Sequence, residues 1–304
     1  MACHHTAPVS PGTRMDITKD FIKLKQPCAD GFRWYLRHAP PQGTYQQLLD
    51  ALVADGRTKD ACWLLDQFGP TDAVLQLDHL DAEDVVFAGA IEVRGTLDLT
   101  GTLRTGRGIR VGGGMRVQGR LQAGDDIHCA GAIFCGDTLH VNGRVHAAWN
   151  ILIQGELDCE SIRAGWDLTC VGPARARGSV HAGQDLQVST LHCEKNIRVA
   201  GNITSDADLV TRQGIECGGS LQCGGHLYAG WGIKALTEIS AANAISAGES
   251  LYTEGEICAG EGYGIYAGLH VPEHAWESSA SVHACRRPES LRSGHWASVE
   301  DKER

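Results

Sequence analysis

From Val85 onward an aliphatic side chain returns every six positions: Val85, Ile91, Leu97, Leu103, Ile109, Met115, Leu121, Ile127 and so on to Ile257 and Ile265. The period slips by one residue after Leu157 and after Leu186, and two extra residues precede Ile265. Two positions after each aliphatic stands a second small or apolar residue, as in Val93, Val111, Ala123, Cys129, Val141, Ala164 and Ala229. Side chains two apart on a strand share a face, so both point inward and the residue between them faces solvent. Gly and polar residues crowd the next positions, as in Gly124-Asp125, Gly183-Gln184 and Gly248-Glu249, where the chain must bend and where glycine is expected to supply positive φ. A short strand and a bend every six residues predict a coil of three faces and 18 residues. The fold class is therefore mainly β: a single-chain, three-sided β-helix of about ten coils over residues 72–271.

The flanks read differently. Residues 1–14 lack periodicity and are expected to form a disordered leader. Residues 15–71 predict a small α-helical cap. Thr44 opens a helix carrying Leu48, Leu49, Leu52 and Val53 and closed by Gly56; a second carries Ala61, Trp63, Leu64, Leu65 and Phe68 and ends at Gly69-Pro70. This αα-hairpin directly precedes the first coil. It is expected to pack there and seal an edge that would otherwise pair with another chain. Residues 272–304 read as a polar tail with isolated Trp276 and Trp296.

Composition narrows the function classes. The chain of 304 residues carries 38 Gly but 5 Phe, which fits a narrow aliphatic core with many bends. The formal net charge of −10 argues against a nucleic-acid partner. A DNA mimic is not expected either, because the acidic excess of the repeat is small and interleaved with cations. No apolar run is long enough to span a membrane, and the start carries no signal-peptide core. Of 12 cysteines, seven (Cys129, Cys135, Cys159, Cys170, Cys193, Cys217 and Cys223) occupy the inward small slot. There Ala and Val stand in other hexads, so they read as buried, reduced core thiols. A cytoplasmic protein is the expectation, with no cofactor and no metal; Cys3-His4-His5 reads as part of the leader rather than as a ligand set.

The hexads resemble those of the bactofilin-like, polymer-forming β-helix proteins, and also those of hexapeptide-repeat acyltransferases. The first resemblance implies a filament-forming bacterial scaffold, from which this chain differs by its helical head. The second implies a left-handed helix with a small residue two before each aliphatic. Here that slot holds Asp125, Asp137, Trp149, Trp166, Gln184, Lys195 and Trp231, so a right-handed helix is favoured.

Three outward surfaces are candidate interaction sites. Arg110, His128, His146, Arg163, His181 and Arg198 fall on one outward row and could receive an anion or an acidic partner. Phe134 and Leu152 fall together on a nearly uncharged row, which is expected to be covered by the tail, the head or a second copy. Tyr228, Trp231, Tyr252, Tyr263 and Tyr266 lie close in sequence near the last coils and suggest interface anchors. Trp149 and Trp166 fall at equivalent bends one coil apart and are expected to stack as structural residues. A histidine on a flat face lacks the pocket and partner that catalysis needs. The expectation is a non-enzymatic scaffold that binds another protein, as an inhibitor or immunity-type regulator, with a homodimer as a second kind of partner. A bactofilin-like filament and an acyltransferase are the alternatives.

Overall fold

A computed structural model describes residues 19–38 and 43–298; the leader expected over residues 1–14 lies outside them. The protein is mainly β, a parallel β-solenoid of about twelve coils with a small helical segment at its N-terminal side. Two compact units, residues 1–143 and 144–304, divide the chain.

In the first unit, helices α1 (Lys19–Leu24), α2 (Ala29–His38), α3 (Tyr45–Ala54) and α4 (Thr58–Phe68) precede the strands. The hairpin read from sequence is thus the second half of a four-helix head. Thr44 begins α3 with a capping box: its hydroxyl accepts from the Gln47 N–H while the Gln47 side chain accepts from the Thr44 N–H. Gly56 and Gly69 follow α3 and α4 with φ of 68° and 78°, a backbone that non-glycine residues resist.

The strands are short and pair in parallel, in register, with the next coil. Ile109–Val111 lies between Ala90–Val93 and Ile127–Cys129, with Ile109 beside Ile91 and Ile127. In the second unit one row runs Arg144–Ala147, Ser161–Ala164, Val180–Ala182, Ile197–Val199, Ile215–Cys217 and Ile233–Ala235. From Ile91 to Thr253 both inward positions of each hexad are buried: Ile91, Leu103, Leu121, Leu139, Ile197 and Leu221 are fully enclosed. Each such side chain stabilises the coil by about 1.5–3 kcal/mol relative to exposure.

All seven slot cysteines are buried as expected. Six of them donate a thiol hydrogen to a carbonyl at the bend, for example Cys129 Sγ to Gly113 O at 3.1 Å and Cys193 Sγ to Gly178 O at 3.1 Å. Ser205 uses the slot in the same way, with its hydroxyl 3.2 Å from Ser189 O and 2.9 Å from Ala207 O. The slot therefore accepts any small side chain, and a weak donor gains a partner there. Burial raises the thiol pKa of Cys129, Cys135, Cys193, Cys217 and Cys223, and pushes that of Cys159 up to about 12.

The bend glycines serve closeness rather than left-handed backbone. Among the described glycines, positive φ occurs at Gly56, Gly69, Gly262, Gly268 and Gly294, not at the repeat bends. At Gly124, Gly183 and Gly248 a Cβ would fall on the carbonyl oxygen of Gly106, Gly165 and Gly230, one coil earlier. Successive bends stack so tightly that a methyl group has no room.

The head grips the first coil. Helices α3 and α4 pack on the strand Val85–Phe87, and Leu48, Leu49, Leu52, Leu64 and Leu65 form one buried cluster with Val86 and Ala88. The Gln46 amide donates to Val86 O and accepts from the Ala88 N–H, both at 2.9 Å. One side-chain amide thus makes the two bonds that a neighbouring strand would make. The Thr58 hydroxyl donates to Asp84 at 2.7 Å, and Arg104 pairs with Asp66 at 2.8 Å. Val86 and Arg104 belong to an outward row by sequence, yet are 2% and 9% exposed, because the head also laps over that face.

Both ends depart from the six-residue period. In the first coil, which starts with strand Val74–Leu77, the inward Leu75, Leu80 and Val85 are spaced by five in strands Val74–Leu77, Leu80–Ala82 and Val85–Phe87. Residues beyond Val271, expected to be a polar tail, form further strands. Ser281–Ala284 pairs with Leu251–Tyr252, Leu291–Ser293 with Ile265–Tyr266, and His295–Ser298 with Ser281–Ala284. Trp296 stands beside Val282, which stands beside Leu251, so it continues the inward ladder. The Trp276 indole N–H donates to Val271 O at 3.1 Å. Long connections between these strands erase the six-residue period, which hides them from a periodicity argument.

Candidate interaction surface

The row of cations is partly neutralised. In the first unit Arg110 stands between Glu92 and His128 in register, and pairs with Glu92 at 3.5 Å. In the second unit His146, Arg163, His181 and Arg198 follow one another on adjacent strands, and Arg198 pairs with Glu216 at 2.9 Å. The carboxylates at the two outer residues correct the reading of six equivalent donors. What remains of the positive face centres on Arg163, which is exposed, with His181 beside it. Burial and then the two flanking guanidiniums hold the His181 imidazole below its ordinary pKa.

The apolar row also differs from expectation. Phe134 and Leu152 lie in different units and are both half-buried. The neighbouring Arg116 lays its guanidinium over the Phe134 ring, 5.1 Å from the centroid. A cation from the next strand therefore shields Phe134. The tail residues expected to cover this row extend the last coils instead.

The aromatic group near the C-terminal coils is dispersed over several surfaces. Tyr228 and Tyr266 share one row with Ser246 between them. Tyr252 lies on another, where Lys234 Nζ sits 5.6 Å from its ring centroid and His283 packs against it at 5.9 Å. Trp231 stands at a bend, 48% exposed, and Tyr263 packs edge-on against His226.

The most unusual surface is one that the sequence reading took to be structural. Trp149 and Trp166 occupy equivalent bends on adjacent coils, with the Trp166 backbone amide donating to the Trp149 carbonyl at 3.4 Å, and are 62% and 60% exposed. The stacking expected of the two rings is not seen, and two indoles standing in solvent bury little that would stabilise the fold. Each follows the cation row by three residues: His146 precedes Trp149 and Arg163 precedes Trp166. The bend thus joins a paired apolar ridge to the positive face. Tryptophan and arginine at one spot are the residue types that dominate binding energy at protein interfaces.

A family model described as the YdhT N-terminal domain matches residues 15–68. No curated protein and no solved structure matches the chain. The matched stretch is the helical head, and its last residue, Phe68, is the last residue of α4. The likeness is confined to that head and does not extend to the solenoid or to the tryptophan bend.

Among the described residues no helix is long and apolar enough to cross a membrane, and no group of three or more His, Cys, Asp or Glu is placed to hold a metal ion.

Proposed function

We propose that the protein is a non-enzymatic binding scaffold, whose solenoid offers the Trp149–Trp166 bend and the adjoining Arg163 face to another protein. The observation that carries this reading is the pair of exposed indoles on adjacent coils. Regular strands hold the backbone of both bends at a fixed spacing, so binding has only the two side chains left to order. The cations beside it favour a partner with an acidic surface, in an inhibitory or immunity-type role.

The bactofilin-like resemblance of the hexads supports a scaffold in general. A filament by head-to-tail stacking is disfavoured because Gln46 already occupies the strand edge at Val86 and Ala88. The hexapeptide acyltransferase reading has the repeat pattern alone behind it.

The test compares wild-type protein with a Trp149→Ala/Trp166→Ala double variant in pull-downs from the native lysate, with light scattering of the purified protein. Loss of a specific partner by a variant with an unchanged melting temperature supports the reading. Retention of every partner, or elution of the wild type as a large polymer, overturns it.

A further inference from the structure

The helical head holds an apolar cavity of about 190 Å³. Ile22 of α1, Trp34 and Tyr35 of α2, Leu52 of α3, and Trp63 and Leu64 of α4 line it. Four of these six are buried, while the exposed Cys28 and the half-buried Pro27 and Gly31 at the rim leave the pocket open to solvent on one side. A half-open apolar pocket with aromatic walls is the usual form of a small-molecule site.

The chemistry of the walls restricts what fits. Several of the polar groups nearby are already engaged with one another. The Trp34 indole N–H donates to Asp55 at 2.6 Å, which fixes the ring. The Asp60 carboxylate receives two bonds from Arg57, at 2.6 and 2.5 Å. A ligand would gain few hydrogen bonds here, and a charged one would lose its hydration with little return. A cavity of about 150 Å³ lined by aliphatic and aromatic side chains is known to stay dry and to admit benzene. The present one is modestly larger, opens to solvent on one side and has three aromatic walls, which favour a planar ring by edge-to-face contact.

We infer that the head is a binding site for a small, neutral aromatic molecule of about the size of indole. This site is separate from the tryptophan bend and stands whether or not that bend holds a partner. It also lies among the residues that grip the first coil, since Leu52 and Leu64 belong to the cluster that encloses Val86 and Ala88.

The probe is 5-fluoroindole, titrated into the full-length chain and followed by fluorine NMR and by thermal unfolding. Saturable binding is expected, with a melting temperature raised by about 2–3 °C at tenfold excess over Kd. Leu52→Trp, which fills the cavity, should keep the helical circular dichroism and abolish both effects. Leu64→Phe serves in its place if Leu52→Trp does not fold. Absence of saturation up to about 1 mM overturns the inference. So does undiminished binding by a folded, filled variant, because the probe would then sit elsewhere.

Discussion

Replacing Gln46 by Met keeps the length of the side chain and removes both bonds to the strand edge. Val86 and Ala88 are 2% and 1% exposed, so the freed Val86 carbonyl and Ala88 N–H have little access to water. An unmade bond to a buried backbone group costs about 1–3 kcal/mol. Gln46 is itself only half-buried, so relaxation and entering water recover part of that cost. The expected total is about 2–4 kcal/mol, concentrated at the seam between head and first coil. Hydrogen exchange reads it directly. If the Ala88 amide exchanges by local opening of this seam, it should exchange roughly 30- to 700-fold faster, at a factor of ten per ~1.4 kcal/mol. Amides of the second unit, such as that of Ile197, should keep their protection. Urea unfolding should show the same loss as a lower midpoint. An unchanged rate at Ala88 in a folded Gln46→Met variant would refute the idea that this amide stands in for a neighbouring strand.

Three further outcomes are expected. Gly165→Ala should destabilise by about 1–3 kcal/mol, because its methyl would fall on the Ala148 carbonyl oxygen, whereas Gly56→Ala meets no atom and costs about 1 kcal/mol for its left-handed backbone; urea melts that reverse this order would contradict the stacked-bend explanation. At pH 8 the exposed Cys28, Cys258 and Cys285 should react with a thiol reagent in the native protein, while the seven slot cysteines react only on unfolding; peptide mapping that finds Cys159 labelled as fast as Cys258 would be incompatible with its burial. The His181 imidazole titrates below its ordinary value near ~6.5, so the unfolded chain binds a proton where the native one does not, and this contribution to stability is lost as pH falls below that value. Arg163→Gln should raise the His181 midpoint measured by NMR, and an unmoved midpoint would remove Arg163 as a cause.

The six-residue recurrence of aliphatic side chains was enough to determine the solenoid, its two inward slots and the burial of seven cysteines. These follow from local periodicity, since each hexad repeats the same backbone path and meets the same hexad in the next coil. The start and stop of α3 and α4 were legible for a similar reason, because Thr44, Gly56 and Gly69 act within one turn of their own position. The start of the first coil was legible near residue 72, but its spacing and the coils beyond Val271 were not. Leu75, Leu80 and Val85 run at a spacing of five, and Val282, Leu291 and Trp296 are separated by irregular connections, so their membership depends on pairing with residues far away in sequence. The surface was the least legible part. Arg116 covering Phe134, Glu92 and Glu216 pairing with Arg110 and Arg198, and the head burying Val86 and Arg104 all arise between chain segments. A row of side chains can be read from a repeat, but its charge and exposure are set by the neighbours that folding brings against it. For that reason only the tertiary structure showed that Trp149 and Trp166 stand largely in solvent.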